Sequence, residues 1–571
     1  MKYKILALSV FGLMTAATAY GDSRESDNDR MHGLQTVYLD QQWTEADRDR
    51  FYFTPQGSYL LPYSWFLALE SPGERHSFNA THNIRSYGYL VDSDSHSPAN
   101  PDGLPIGFAR EPVENGEAWL GYTCAACHTN DIRYQGHTIR IDGAPALADF
   151  TAFNDGLIAA LESTLRGDKK FDRFARAVLG KDADETEQTA LRERVADHTA
   201  WLKGFAGRSK PTHAFGAGRV DAFGVIMNEV FGRDLGQPDN IRVPNAPVSY
   251  PFLWGTPQHD YVQWTGSAFN PFGRNVGEVL GTFGRVNLDV MSPDFGANTA
   301  RARELFELER LIARLGTPHW PEALLGPIDQ ESAFRGQMLY TQSRNGEESC
   351  ADCHGLPDSE GQYPSTPPEE NLFGVSFVKT HMTPLDDIGT DPLTAKNFAL
   401  RRVKSGAVAP LLPAPFTNAS EVPAPAMLAI LVGVAAKDSN LHAQPPFTGP
   451  ESAELIGYRQ KAAGLPPYSA PNLLAYRARP LDGIWATAPY LHNGSVPSLY
   501  ELLLPPTERS QVFYVGNREF DPDTVGFKSR RGGNGFRFDT RLPGNLNSGH
   551  TYGTELNDDQ RLDLLEFLKT L

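Results

Sequence analysis

The chain has 571 residues, a net charge of −17 and only four cysteines. So long a chain outgrows a single hydrophobic core and predicts two or more domains. Its acidity argues against nucleic acid as a partner, because it repels phosphate backbones.

Taken from the N-terminus, Lys2 and Lys4, an apolar run from Ile5 to Met14 and the small residues Ala17-Thr18-Ala19 read as a secretory leader, 1–19. That run is too short to span a bilayer, and no later run reaches the required length. The mature protein is therefore expected in the periplasm or outside the cell, not transmembrane, after cleavage near Ala19. A retained N-terminal anchor is the competing reading. Residues 20–50 are polar and read as a loosely held arm, and the aromatic-rich stretch 52–70 is expected to pack on a core. A short helix is expected to open at Glu117, followed by a loop through Cys124-Ala125-Ala126-Cys127-His128. Between 150 and 206, Leu157, Leu161, Leu165, Phe171, Phe174 and Val178 recur mostly at threes and fours, which predicts helix. The Gly-, Pro- and aromatic-rich stretch 211–298 lacks periodicity and reads as packed loops.

A helix is predicted over 299–315, with Leu305, Leu308, Leu311, Ile312 and Leu315 on one face and Gly316-Thr317-Pro318 ending it. Another, over 329–340, leads into Cys350-Ala351-Asp352-Cys353-His354. The last begins at Asn557 as N-cap, with Leu562, Leu565, Phe567 and Leu568 on its apolar side. The expected fold class is mainly α with extensive irregular loops, built as two cytochrome c-like haem domains. The first spans 51–320 and carries haem 1 and large loop insertions; the second spans 321–571 and carries haem 2.

All four cysteines fall in the two Cys-x-x-Cys-His motifs. Thiols three positions apart can each add to a haem vinyl group, and the adjacent histidine is then held beneath the iron. Cys124 and Cys127 would tether one haem c with His128 as ligand; Cys350 and Cys353 would tether a second, with His354. A redox disulfide does not require the adjacent histidine, and zinc would want four ligands gathered locally. Sixth ligands are not fixed by spacing. His492 and His550 lie in Gly/Asn-rich loops, where a histidine is usually a surface or hydrogen-bonded residue.

The run Ala486-Thr487-Ala488-Pro489-Tyr490-Leu491-His492-Asn493-Gly494-Ser495 resembles the segment after the second haem motif of bacterial di-haem cytochrome c peroxidases. That superfamily includes the di-haem enzyme that matures tryptophan tryptophylquinone. The likeness implies that His492 lies near haem 2 without ligating it, and that the backbone at Thr487 and Pro489 helps hold calcium. The chain from about Phe51 is more similar to the rubber-oxygenase branch and its fatty-acid-oxygenating relatives. The marks are Ser58-Tyr59-Leu60-Leu61-Pro62-Tyr63-Ser64-Trp65-Phe66, the first haem motif, Ala246-Pro247-Val248-Ser249-Tyr250-Pro251-Phe252-Leu253-Trp254, Phe538-Asp539-Thr540, Leu542-Pro543-Gly544-Asn545 and Gly549-His550-Thr551-Tyr552-Gly553. This resemblance implies His550 as the sixth ligand of haem 2, and Phe269, an aromatic residue, over the open iron of haem 1. It also implies Trp254 between the haems, the alternative being a core tryptophan. Arg274 and Glu278 would be distal polar groups, or else a pair that only stabilises its loop.

Three functions follow. An O2-dependent dioxygenase would act on an unsaturated apolar substrate, a fatty acid or polyisoprene, in a dry pocket at haem 1. A peroxidase would take H2O2 and a small redox protein donor, and needs a distal acid and base. A pure electron carrier would close both irons. The length, the aromatic insertions and the lack of a methionine soon after His492 favour the first.

Overall fold

The computed structural model describes residues 36–91, 97–112, 116–268, 271–343, 346, 348–370, 374–456, 473–531 and 535–571. The leader 1–19 and Phe269 lie outside the described residues.

The described part of the expected arm is built into the molecule. Thr36–Tyr38 pairs in parallel with His137–Asp142, which pairs antiparallel with Thr129–Tyr134. The helix Glu45–Phe53 follows, started by a capping box in which Thr44 and Asp47 satisfy each other's backbone N–H. Where a helix was expected from Glu117 there is instead a strand, Trp119–Tyr122. It is the middle strand of a sheet with Leu61–Pro62 and Phe108–Glu111. Aromatic side chains suit that strand, and a four-residue element is too short to show its period in sequence. The first Cys motif therefore sits on a tight turn between two sheets.

Beyond it, the helices Phe150–Arg166, Asp168–Leu179 and Glu185–Arg208 occupy the region read as helical. The stretch 211–298 differs from expectation, for it holds the helices Ala222–Met227 and Pro271–Gly281. Three glycines weaken the intrinsic helicity of Pro271–Gly281, so its sequence hides it. Tertiary packing requires at least one of them, since a Cβ on Gly281 would run into the Ile226 side chain. Further on, Ala302–Ile312, Gln330–Thr341, Ala424–Leu441 and Asp558–Thr570 are helical. Asn557 caps the last through a capping box with Gln560. Gln330–Thr341 crosses it at Gly336, where a Cβ would strike the Asp563 carbonyl.

The expected fold class is corrected on two counts. Helix accounts for 41% and strand for 14%, and among the described residues the strands form seven small sheets of two or three strands each, so the molecule is not mainly α. Nor does the core divide as two cytochrome c-like haem domains would. One hydrophobic cluster joins Phe51, Tyr52, Ile139 and Trp254 to Tyr340, Trp485, Phe520 and Leu565. Another joins Phe231, Leu280 and Leu305 to Phe398, Met427 and Leu431. Among the described residues, no helix is long and apolar enough to cross a membrane.

Candidate functional site

Both Cys motifs form the floor of a cavity. In the first, His128 N–H and Cys127 N–H both bond to the Cys124 carbonyl, at 3.0 and 3.2 Å. The second is a short helix, Cys350–Cys353, with Ser349 and Asp352 as its capping box and His354 N–H on the Cys350 carbonyl at 2.7 Å. Each turn places two thiols and an imidazole on one wall. None of the four cysteines is in a disulfide, and all four are partly buried. Burial pushes Cys124 and Cys127 up to about 12 and Cys353 to about 11. A redox-active pair needs its thiol shifted the other way, so the environment disfavours a working disulfide.

The histidines are oriented as metal ligation would require. His128 Nδ1 pairs with the Pro251 carbonyl at 2.8 Å, and His354 Nδ1 with the Arg479 carbonyl at 2.7 Å. Each bond commits Nδ1–H and leaves Nε2 for the cavity, which fixes both tautomer and ring orientation. Burial lowers His128 to about 4 and lowers His354 as well, so both stay neutral near pH 7.

The first cavity, of about 190 Å³, is lined by Cys124, Cys127 and His128 at its base and by Phe150, Phe223, Ile226, Val279 and Leu305 elsewhere. Among its described lining residues His128 is the only histidine. One side is polar. Glu278 accepts from Gln263 Nε2 at 3.0 Å, and Arg274 pairs with Glu309 at 2.7 Å. The suggested Arg274–Glu278 pair is thus replaced by an Arg274–Glu309 pair. Glu309 was missed, although it sits four residues after Leu305 and three before Ile312, on the face read as apolar. Desolvation raises the Glu278 carboxyl, with Arg274 opposing.

The second cavity, of about 200 Å³, places His550 opposite His354, with ring centroids 6.4 Å apart. Two imidazoles binding one iron through Nε2 at about 2 Å each would bring their centroids to about 6.3 Å. His550 occupies the left-handed region at φ 45°, unusual for a side-chain-bearing residue. Arg509 holds it there, donating to the carbonyls of Asn547, Gly549 and His550 at 2.7 to 2.9 Å. His550 N–H bonds to the Ile388 carbonyl at 2.8 Å. No local pattern in the sequence points to Arg509. His492 also lines this cavity, stacked on Tyr476 at 4.0 Å. Thr487 and Pro489 lie on the same wall, with the Thr487 hydroxyl bonded to the Ile484 carbonyl.

The extended stretch from Ser249 to Trp254 runs between the cavities, and Ser249, Tyr250, Pro251, Trp264, Arg477 and Arg479 line both. Trp254 lines neither. It is 1% exposed, stacks on Phe252 at 4.6 Å and donates to the Asp482 carbonyl at 2.7 Å. Trp264, which the sequence reading passed over, is the tryptophan in the shared wall.

In these thiol pairs, committed imidazoles and apolar walls, the residues present fit haem c. The RoxA-like, cytochrome c-like family model matches residues 475–514, which include Arg479, Thr487, Pro489 and His492. The match marks one cytochrome c-like segment, not two, and gives haem c as its cofactor class. An uncharacterized protein of Sinorhizobium fredii (strain NBRC 101917 / NGR234), y4iJ, is 34% identical over 586 residues, 94% of this chain and 93% of that protein. A second from the same strain, y4iM, is 25% identical over 345 residues, 56% of this chain and 63% of its own length.

Proposed function

We propose, for a chain that belongs to one family with the rhizobial protein y4iJ and carries a RoxA-like, cytochrome c-like segment, that it is an exported haem oxidoreductase with haem c at both Cys motifs. The specific activity proposed is O2-dependent oxygenation of an unsaturated apolar substrate, a fatty acid or polyisoprene, at the first site.

The asymmetry between the two cavities carries this reading. His550 faces His354 across 6.4 Å, so the second site has two histidines for one iron. The first site has His128 and, among its described lining residues, no histidine opposite. Haem c held at Cys124, Cys127 and His128 would supply the chemistry that activates dioxygen. The protein's part is to keep His128 neutral and oriented through the Pro251 carbonyl, and to line the cavity with Phe150, Phe223, Ile226 and Leu305. Such a wall accepts an alkene chain and excludes water.

Peroxide reduction is a second reading, favoured by one observation. Gln263, Glu278, Asn275 and Arg274 gather on one side of the same cavity. A carboxyl raised by burial beside an arginine suits proton movement across an O–O bond. The test separates the two. Oleate or polyisoprene incubated with the purified protein in air, without peroxide or donor, should give oxygenated products by mass spectrometry. Turnover only with H2O2 and a reduced small cytochrome would replace the oxygenase reading with the peroxidase one.

A further inference from the structure

One of the histidine bonds described above ends on Arg479, and the other ends on Pro251, next to a carbonyl that the Arg479 guanidinium holds. Arg479 follows the strand Ala475–Ala478, and its backbone carbonyl orients His354. Its guanidinium reaches the other way and donates to the carbonyls of Phe252 at 2.9 Å and Trp254 at 2.6 Å. It also lies over the Phe252 ring at 3.6 Å. Phe252 directly follows Pro251, whose carbonyl orients His128. Arg479 is 6% exposed, lines both cavities and makes no ion pair among the described residues. It also donates to the Thr256 hydroxyl at 3.4 Å. Burying a guanidinium on uncharged partners is costly, and its Nε is buried without a partner. A residue needed only to fill this space would not carry a charge.

We propose that Arg479 is a positioning residue that couples the two sites, one side chain setting the hydrogen bond of both iron-binding histidines. The connection runs from His128 Nδ1–H to the Pro251 carbonyl, across one residue to the Phe252 carbonyl, through the guanidinium of Arg479, and from the Arg479 carbonyl to His354 Nδ1–H. A stronger Nδ1–H bond makes an imidazole a better donor to oxidised iron. A positive charge buried beside both cavities favours the reduced state at each. Any displacement of Arg479 thus acts on both sites together.

This inference rests on haem c at both motifs, and its test keeps the two claims apart. In the holoprotein, Arg479→Gln and Arg479→Lys would be followed by spectroelectrochemical titration, with haem counted by pyridine haemochrome. Arg479→Gln should keep two haems per chain and lower both midpoint potentials. Arg479→Lys, which keeps the charge but not the fork, should shift both in the same direction by less. With two haems in place, a response at one centre only, or at neither, overturns the coupling. Fewer than two haems in the unmutated protein overturns the haem reading instead. Should Arg479→Gln fail to fold, Arg479→Lys decides through the resonance Raman iron–histidine stretch of the ferrous first centre. A changed frequency supports the coupling, and an unchanged one with unchanged potentials overturns it.

Discussion

Glu111 lies buried behind the first cavity, with backbone N–H groups from Gln56 and Gly57 each donating to its Oε1 at 2.7 Å. Desolvation outweighs those bonds and lifts the carboxyl from 4.5 to about 7. Between those values the folded chain holds a proton that the unfolded chain has released. This contribution to stability is therefore complete below pH 4.5 and lost as pH rises through 7. It amounts to roughly 3 kcal/mol at most. Glu111→Gln has no such loss, so its stability relative to the unmutated protein should climb between pH 5 and 8 in denaturant titrations. A flat difference would show the carboxyl to be ionised throughout. His550 gives a second single-residue expectation. Its replacement by alanine removes one of the facing rings, and the second centre should then bind added imidazole or CO, which the unmutated centre should refuse. An unchanged spectrum would reassign the ligand.

At the scale of elements, the crossing of Gln330–Thr341 with Asp558–Thr570 supports the second site. Tyr340, on the first of these helices, donates its hydroxyl to the His354 carbonyl at 2.6 Å. Contact depends on Gly336, because the Asp563 carbonyl occupies the space a side chain would need. Gly336→Ala should separate the helices and cost about 1–3 kcal/mol, visible as faster hydrogen exchange in both. Protection equal to the unmutated protein's would mean that the crossing can yield. Helix Asp558–Thr570 was readable in sequence from its N-cap Asn557 and from Leu565, Phe567 and Leu568, which are buried, although Leu562, read onto the same side, is exposed. The strand Trp119–Tyr122 was not, because four residues show no decisive period. Helix Pro271–Gly281 was hidden because packing, not propensity, pays for its glycines.

At the scale of the whole molecule, the second cavity draws its walls from both halves of the chain. Pro145 and the stretch Ser249–Phe252 line it together with residues from Tyr340 to Leu568. Replacing Cys350 and Cys353 by serine should leave one haem per chain by pyridine haemochrome. It should also lower the thermal stability of the entire protein, measured equally by probes before and after residue 320. If only the later part became labile, the shared core would not transmit the loss.

Adjacent residues carry the part of the proposal that depends on adjacency. Two thiols and an imidazole within five positions form a short turn at both motifs, so the proposed haem attachment rests on spacing that the sequence shows directly. The partner opposite each imidazole could not be read that way. His550 stands across from His354, Pro251 and Arg479 supply the orienting carbonyls, and Glu309 rather than Glu278 takes Arg274, because packing closes gaps of tens to hundreds of residues. Likewise Trp264, not Trp254, came to lie in the wall between the cavities. Sequence spacing sets what a residue can bind; only the folded chain, by bringing distant backbones within hydrogen-bond reach, decides which group it meets.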